Sequence, residues 1–424
     1  MRLSILIIAL LINMLNNLPK ALEPFQYTVW TEFTPLAIKH QAINLGQGFP
    51  SFSCPDFVKA SLTEAANNNE NQYVKPVGFP VLTQELAKVY GKKHNRVINP
   101  DTEIIVTHGA SEALMLCAMG LLDPGDEVVV IDPSFDLYEP QIRIFGGVLR
   151  RVSLIPPVDE NSPWTIDFEA LENAFSPKTR AFFFNTPNNP IGKVFTRDEL
   201  IRISEILKKW PDVAVVADEV YEHITFDGRE HVSICDIEGM WERTLTLSSA
   251  GKIFSITGWK TGWAIGGAGL VRKLAFGKVW SSYCSNSVCQ GAIARSLKIA
   301  VEPYLECRDY YEWINNQYIA KREILIRILR ETNAIKIQPL LSEGGFFLCG
   351  RILDGGDYIP DKYKEGASLD FAFCRWITET LKISAIPCSA FFSQENKHYG
   401  EGLVRFALCK GYDDYEKVEK ILLG

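Results

Sequence analysis

The sequence predicts an α/β protein built on a mostly parallel sheet, followed by a smaller α+β domain. Short apolar runs alternate with helical stretches through the first two thirds of the chain, the pattern of a sheet covered on both faces by helices. Each run ends in a cluster of Gly, Ser, Asn, Asp or aromatic residues. After Glu302 the pattern changes to long charged helices and then to new apolar segments. With 424 residues the chain exceeds the usual size of a single core, so a large and a small domain are expected. Its 47% hydrophobic and 11% aromatic content is ordinary for a packed interior.

The elements follow in order. "MRLSILIIALLINML" is an apolar run the length of a signal-peptide core and too short for a comfortable membrane span. Residues 1–22 therefore read as a leader, secretory or mitochondrial, or as an arm packed on a partner; without such targeting the protein is expected in the cytoplasm. Strands are expected at "EIIV" (103–106), "EVVVI" (127–131), "AFFF" (181–184), "VAVVA" (213–217) and "TLTL" (244–247). They run into "THGASEAL", "DPSFDLYEP", "NTPNNPIGKVF", "DEVYEHI" and "SSAGK". Open α/β sheets bind ligands at the C-terminal ends of their strands, so five such ends point to one site. "RDYYEWINNQYIAKREILIRILRE" (308–331) reads as a long helix, followed by "GGFFLCGRI", "SAIPCSAFF" and "LVRFALC".

Composition excludes some functions. A net charge of −7, with 44 Lys and Arg scattered among 51 Asp and Glu, offers no basic face for nucleic acid. Ten cysteines without a CxxC pair, several in apolar strings, read as reduced buried thiols of an intracellular protein. Six histidines show no metal-ligand spacing, and no metal is expected.

The chemistry begins at Lys252, after "SSAG" at a strand end. A desolvated lysine is nucleophilic and forms Schiff bases with carbonyl groups, although a lysine in a Gly-flanked loop is ordinarily a solvated surface group. Asp218 in "VVADEVY" follows five apolar residues, where an unpaired carboxylate is costly. A cationic ring nitrogen compensates it, and the pyridinium of pyridoxal phosphate is such a group. "NTPNNP" offers amides in a proline-stiffened loop, suited to a phenolate oxygen or simply to a turn. "HGASEAL" places Gly and Ser amides at a helix start, where anions bind.

Together "NTPNNP", "DEVY", "SSAGKIFSITGWKTGW" and "VRF" resemble the class I pyridoxal-phosphate aminotransferases. "NLGQGFPSF", "QYVKPVGFPVL", "DPSFDLYEP" and "AIPCSAFF" narrow this to the kynurenine aminotransferase, glutamine transaminase K and cysteine-conjugate β-lyase group with its bacterial methionine aminotransferase-like relatives. The resemblance implies fold type I: a large domain, 54–305, around a mostly parallel seven-stranded sheet, and a small domain, 306–424, joined by residues 23–53. It implies pyridoxal 5'-phosphate bound at Lys252 as a Schiff base. The phosphate would be held by the backbone of Ala110 and Ser111, by Ser249 and Lys260, and by Tyr73 of the other subunit of a homodimer. Phe135 would stack on the ring, Asp218 would pair with its nitrogen, Asn189 and Tyr221 with its phenolic oxygen, and Asn185 would line it. Arg405 would grip the substrate α-carboxylate, assisted by Asn189 and the Gly48 backbone.

The implied reaction is ping-pong transfer of an α-amino group from an L-amino acid to a 2-oxo acid, with Lys252, Asp218 and Tyr221 as its catalytic residues. Trp30, Phe135 and, across the dimer, Tyr283 match aromatic positions of the side-chain pocket. The sequence departs from the kynurenine enzymes at Ser111, where they often carry Tyr, and at Cys284, where a histidine is expected. Kynurenine, glutamine, methionine and phenylalanine are all compatible donors, and no second arginine is evident for a dicarboxylate. Cysteine-conjugate β-lyase chemistry at the same site is an alternative. A non-catalytic fold-type I module is a remote one, because a degenerate scaffold would be expected to lose Lys252 or Asp218.

Overall fold

The computed structural model describes residues 18–424, so most of the expected leader or arm lies outside the described residues. Its strands are β1 (Ile43–Asn44), β2 (Ile104–Thr107), β3 (Glu127–Asp132), β4 (Val148–Ile155), β5 (Thr165–Ile166), β6 (Thr179–Asn185) and β7 (Ala214–Asp218). They continue as β8 (Thr244–Ser249), β9 (Gly262–Gly266), β10 (Ile337–Pro339), β11 (Phe347–Ile352), β12 (Ile383–Ser384), β13 (Ile386–Pro387) and β14 (Leu403–Ala407).

The large sheet has the order β2-β9-β8-β7-β6-β3-β4-β5. Strands β8, β7, β6, β3 and β4 run parallel, while β9 is antiparallel to both its neighbours. The expected count of seven strands therefore becomes eight, because the two-residue β5 pairs antiparallel with the outer edge of β4. The central strands are continuous apolar runs because both faces are covered. Val128, Val130, Phe183, Val216 and Leu245 face one buried layer, and Val129, Ile131, Phe182, Phe184 and Val215 face the other. This is the period-2 alternation of a strand, with apolar residues on both sides.

The helix Arg197–Lys208 covers one face. It starts with a reciprocal capping box between Thr196 and Glu199 and buries Leu200, Ile203, Ile206 and Leu207. Such a box satisfies two of the helix's unpaired N–H groups, and the 3–4 spacing turns one apolar stripe to the sheet.

The C-terminal part is an antiparallel sheet, β10-β11-β14-β13, flanked by the helices Tyr310–Glu331 and Leu369–Thr380. The N-terminal segment closes onto it: β1 pairs in parallel with β12. Among the described residues no helix is long and apolar enough to cross a membrane, and all ten cysteines are unpaired thiols.

Candidate active site

The parallel strands deliver the chemistry at their C-terminal ends, as the sequence anticipates. Asn185 closes β6, Asp218 closes β7, Ser249 closes β8, and Lys252 lies in the single turn Ala250–Ile253 that follows. Arg405 comes from the other sheet: it sits in the middle of β14, paired with Cys349 on β11 and Ile386 on β13. Between them lies a cavity of about 200 Å³. It is lined by every site residue expected from the sequence except Tyr73 and Tyr283.

Asp218 is 5% exposed, and burial raises its carboxyl to about 6, against the pull of a Tyr138 hydroxyl donating to Oδ2 at 2.7 Å. Its charge has no cationic side chain within salt-bridge distance among the described residues. Lys252 donates to the Gly48 carbonyl at 3.2 Å. Its ammonium is pushed down to about 8, mainly by burial, and the nearby positive charges of Arg405 and Lys260 act in the same direction. Its amine lies 5.5 and 5.2 Å from the ring centroids of Tyr221 and Phe346, and the side chain lines the cavity.

At the opposite end, Gly109 adopts φ +69° and opens the helix Gly109–Leu121, leaving the first amides of that helix without intrahelical acceptors. Lys260, itself left-handed at φ 51°, brings its Nζ to 3.5 Å from the Ser111 hydroxyl. Gly262 is required beside them, because a Cβ there would lie 2.6 Å from the Ala110 nitrogen. Unpaired amides, a lysine and hydroxyls converge as an anion cradle.

Arg405 is 1% exposed and forms no salt bridge among the described residues. Nη1 donates to Asn189 Oδ1 at 2.8 Å and Nη2 to the Gly46 carbonyl at 2.7 Å, while Nε is buried without a partner. The rings of Phe347, Phe391 and Trp30 lie 4.0, 4.7 and 5.5 Å from its guanidinium carbon. A buried, unpaired guanidinium with a free donor demands an anion. Asn189 is fixed in turn, its N–H donating to Asn185 Oδ1 at 2.6 Å, and Asn185 Nδ2 donates to the Asp218 carbonyl at 2.7 Å.

The Gly46 carbonyl accepts from Arg405 and the Gly48 carbonyl from Lys252, so the loop after β1 carries its carbonyls toward two cations while Gly48 itself lines the cavity. Tyr73 and Tyr283 pack edge-on against each other, ring centroids 5.8 Å apart, and are 86% and 47% exposed outside the cavity. Sequence reasoning missed Tyr138, although it lies in the quoted "DPSFDLYEP", and missed Phe347, which closes the wall beside Arg405. It also missed Asp136, whose Oδ2 accepts from the Trp30 indole at 2.5 Å.

Comparison with known proteins shows the family. Residues 40–411 match the family of class I and II aminotransferases. The chain is 39% identical over 408 residues to kynurenine–oxoglutarate transaminase 3 of Mus musculus, covering 95% of this chain and 89% of that protein. Bna3p of Saccharomyces cerevisiae, a candidate kynurenine aminotransferase, superposes with a TM-score of 0.88 at 34% identity, over 96% of this chain and 97% of its own. An Escherichia coli protein with a methionine aminotransferase function, YbdL, gives a TM-score of 0.84 at 29% identity, over 96% and 99%. The chain belongs to the class I and II aminotransferase family, and it is an enzyme that moves amino groups between amino acids and 2-oxo acids.

Proposed function

We propose that the chain is a pyridoxal-phosphate-dependent transaminase of the kynurenine–oxoglutarate type. Its donor would be an uncharged or aromatic L-amino acid and its active unit a homodimer. The observation that carries this reading is Arg405, a buried guanidinium with an unpaired Nε, ringed by Trp30, Phe347 and Phe391. A substrate carboxylate held there turns its side chain toward aromatic walls rather than toward a second cation.

The residues present fit the cofactor. The Ala110 and Ser111 amides, Ser249 and Lys260 would hold its phosphate, Phe135 its ring face, and Asn189 and Tyr221 its phenolic oxygen. Asp218 would hold the protonated ring nitrogen, and a cation beside its carboxylate offsets the burial that raises it. When bound, pyridoxal phosphate supplies an aldehyde carbon that takes up amines and a ring that accepts the electron pair left when a Cα proton departs.

The protein's own part is proton movement and orientation. Lys252, lowered toward neutral pH, can lose its proton there and accept one from the substrate Cα. Arg405 fixes the carboxylate by a planar two-pronged contact, which orients the Cα–H bond. Asn189 holds Arg405, and Tyr138 holds Asp218. Tyr73 and Tyr283, exposed on their own subunit, would complete the partner's site.

A donor panel of kynurenine, glutamine, methionine, phenylalanine and aspartate against several 2-oxo acids tests the reading. Turnover with the uncharged donors and little with aspartate is expected; aspartate as the preferred donor would overturn it.

A further inference from the structure

Outside the active-site cavity the fold assembles a second group of reactive side chains that transamination does not use. His94 caps the helix Pro80–Lys93, and Cys235 and Asp236 end the turn Ile234–Asp236. His94 Nδ1 lies 2.8 Å from Asp236 Oδ1 and 3.6 Å from Cys235 Sγ, and Sγ lies 3.9 Å from Asp236 Oδ1. Tetrahedral zinc with ordinary bond lengths spaces its ligands about 3.4 Å apart for N···O and about 3.6 Å for S···N and S···O. The two sulfur edges therefore already fit to within about 0.3 Å, and the third opens by about 0.6 Å when the His–Asp hydrogen bond gives way.

We propose that His94, Cys235 and Asp236 form a binding site for one divalent cation of the zinc class, with three protein ligands and a fourth position open to the adjoining cavity. Among the described residues no other group of His, Cys, Asp and Glu converges in this way.

Burial and access suit a cation. The His94 side chain is 1% exposed and Cys235 5%, whereas the Asp236 side chain is 28% exposed, so one ligand stands at the mouth of a cavity of about 670 Å³. That cavity leaves room for a water ligand and a path of entry. The donor set of thiolate, imidazole and carboxylate favours zinc-like ions over magnesium or calcium, which take oxygen ligands. Thiolate and carboxylate together neutralise a dication. Lys93, which lines the same cavity, is already held by Glu222 and Glu219. With Nδ1 bound, the proton sits on Nε2, which has no hydrogen-bond partner. The imidazole plane is set instead by the rings of Tyr90 and Trp241, 5.8 and 5.9 Å away. A bound ion would tie the helix Pro80–Lys93 to the turn before β8, and binding to the folded state alone would raise the melting temperature.

The test is a titration of the chelator-stripped holoenzyme with Co²⁺ and then Zn²⁺. The expected result is one equivalent per chain, a tetrahedral cobalt spectrum with a thiolate charge-transfer band, displacement by Zn²⁺ and a raised melting temperature. Cys235→Ser should remove that band, and Asp236→Asn, altering a solvent-reaching side chain, should weaken binding roughly tenfold or more. Transaminase turnover of the stripped variants serves as the check that they are folded. If Cys235→Ser does not fold, Asp236→Asn decides the question alone. No stoichiometric binding, an octahedral cobalt spectrum, or affinity unchanged in Asp236→Asn overturns the proposal.

Discussion

Replacing Arg405 by lysine keeps the positive charge and removes the fork. A guanidinium carries five N–H donors. The protein uses two of them, on Asn189 and Gly46, so three remain, including the unpartnered Nε–H. A carboxylate can take two of these in parallel, whereas an ammonium on a shorter, rotating stem offers it one. A hydrogen bond between charged groups is worth about 1.5–3 kcal/mol. Loss of one should therefore lower kcat/KM by roughly 10- to 150-fold. Because the carboxylate is bound alike before and during proton transfer, most of the loss should appear in KM. Steady-state kinetics with phenylalanine and a 2-oxo acid reads both constants. Asn189→Ala should be non-additive with Arg405→Lys, since the two side chains act as a unit. A drop in kcat/KM of less than about threefold would refute the reasoning, because buried charge-assisted bonds cannot be that cheap to lose.

Four further outcomes follow. Tyr138→Phe removes the donor at Asp218 Oδ2, so the Asp218 carboxyl should rise further, the acid limb of the kcat/KM profile should move to higher pH, and an unmoved limb would contradict the contact. Asp218 has a folded value of about 6 above its ordinary 3.8, so the folded apoprotein binds the proton more tightly than the unfolded chain. Its stability should therefore fall between about pH 4 and 6 by up to about 3 kcal/mol, and denaturant midpoints of Asp218→Asn should lack this fall. Gly262→Ala drives a methyl to 2.6 Å from the Ala110 nitrogen, so cofactor affinity measured by dialysis and absorbance should drop at least tenfold. Mixing Lys252→Ala with Tyr73→Ala chains should regain activity that neither has alone, because one site of the hybrid dimer would then be wholly native.

Much of the site was legible because its residues sit where sequence carries local signals. Asp218 is conspicuous as a charge after an apolar run, and it does end the buried β7. Ser249 and Lys252 follow β8 for the same reason. Arg405 was placed by resemblance alone, since nothing in "LVRFALC" shows that β14 lies across the cavity from β7. Strands β4 and β9 were not foreseen. In β4 two arginines interrupt the apolar run and only Val152 and Leu154 are buried, and β9, "GWAIG", has too much glycine for a strand signature. Its tryptophan proves to be core: Trp263 is fully buried and donates to the Tyr90 hydroxyl at 3.0 Å. The role of Tyr138 was invisible because a hydroxyl's partner, 80 positions away, is fixed by sheet order rather than by spacing. His94 and Cys235, 141 positions apart, escape any reading of ligand spacing in the same way.

The central claim is that Lys252 is the lysine that bonds the cofactor. Borohydride reduction of the holoenzyme followed by peptide mass mapping tests it most directly. The account predicts a pyridoxyl-phosphate adduct on Lys252 in the peptide that spans β8 and the turn after it. An adduct on Lys260 or any other lysine, or no adduct at all in catalytically active protein, would contradict it.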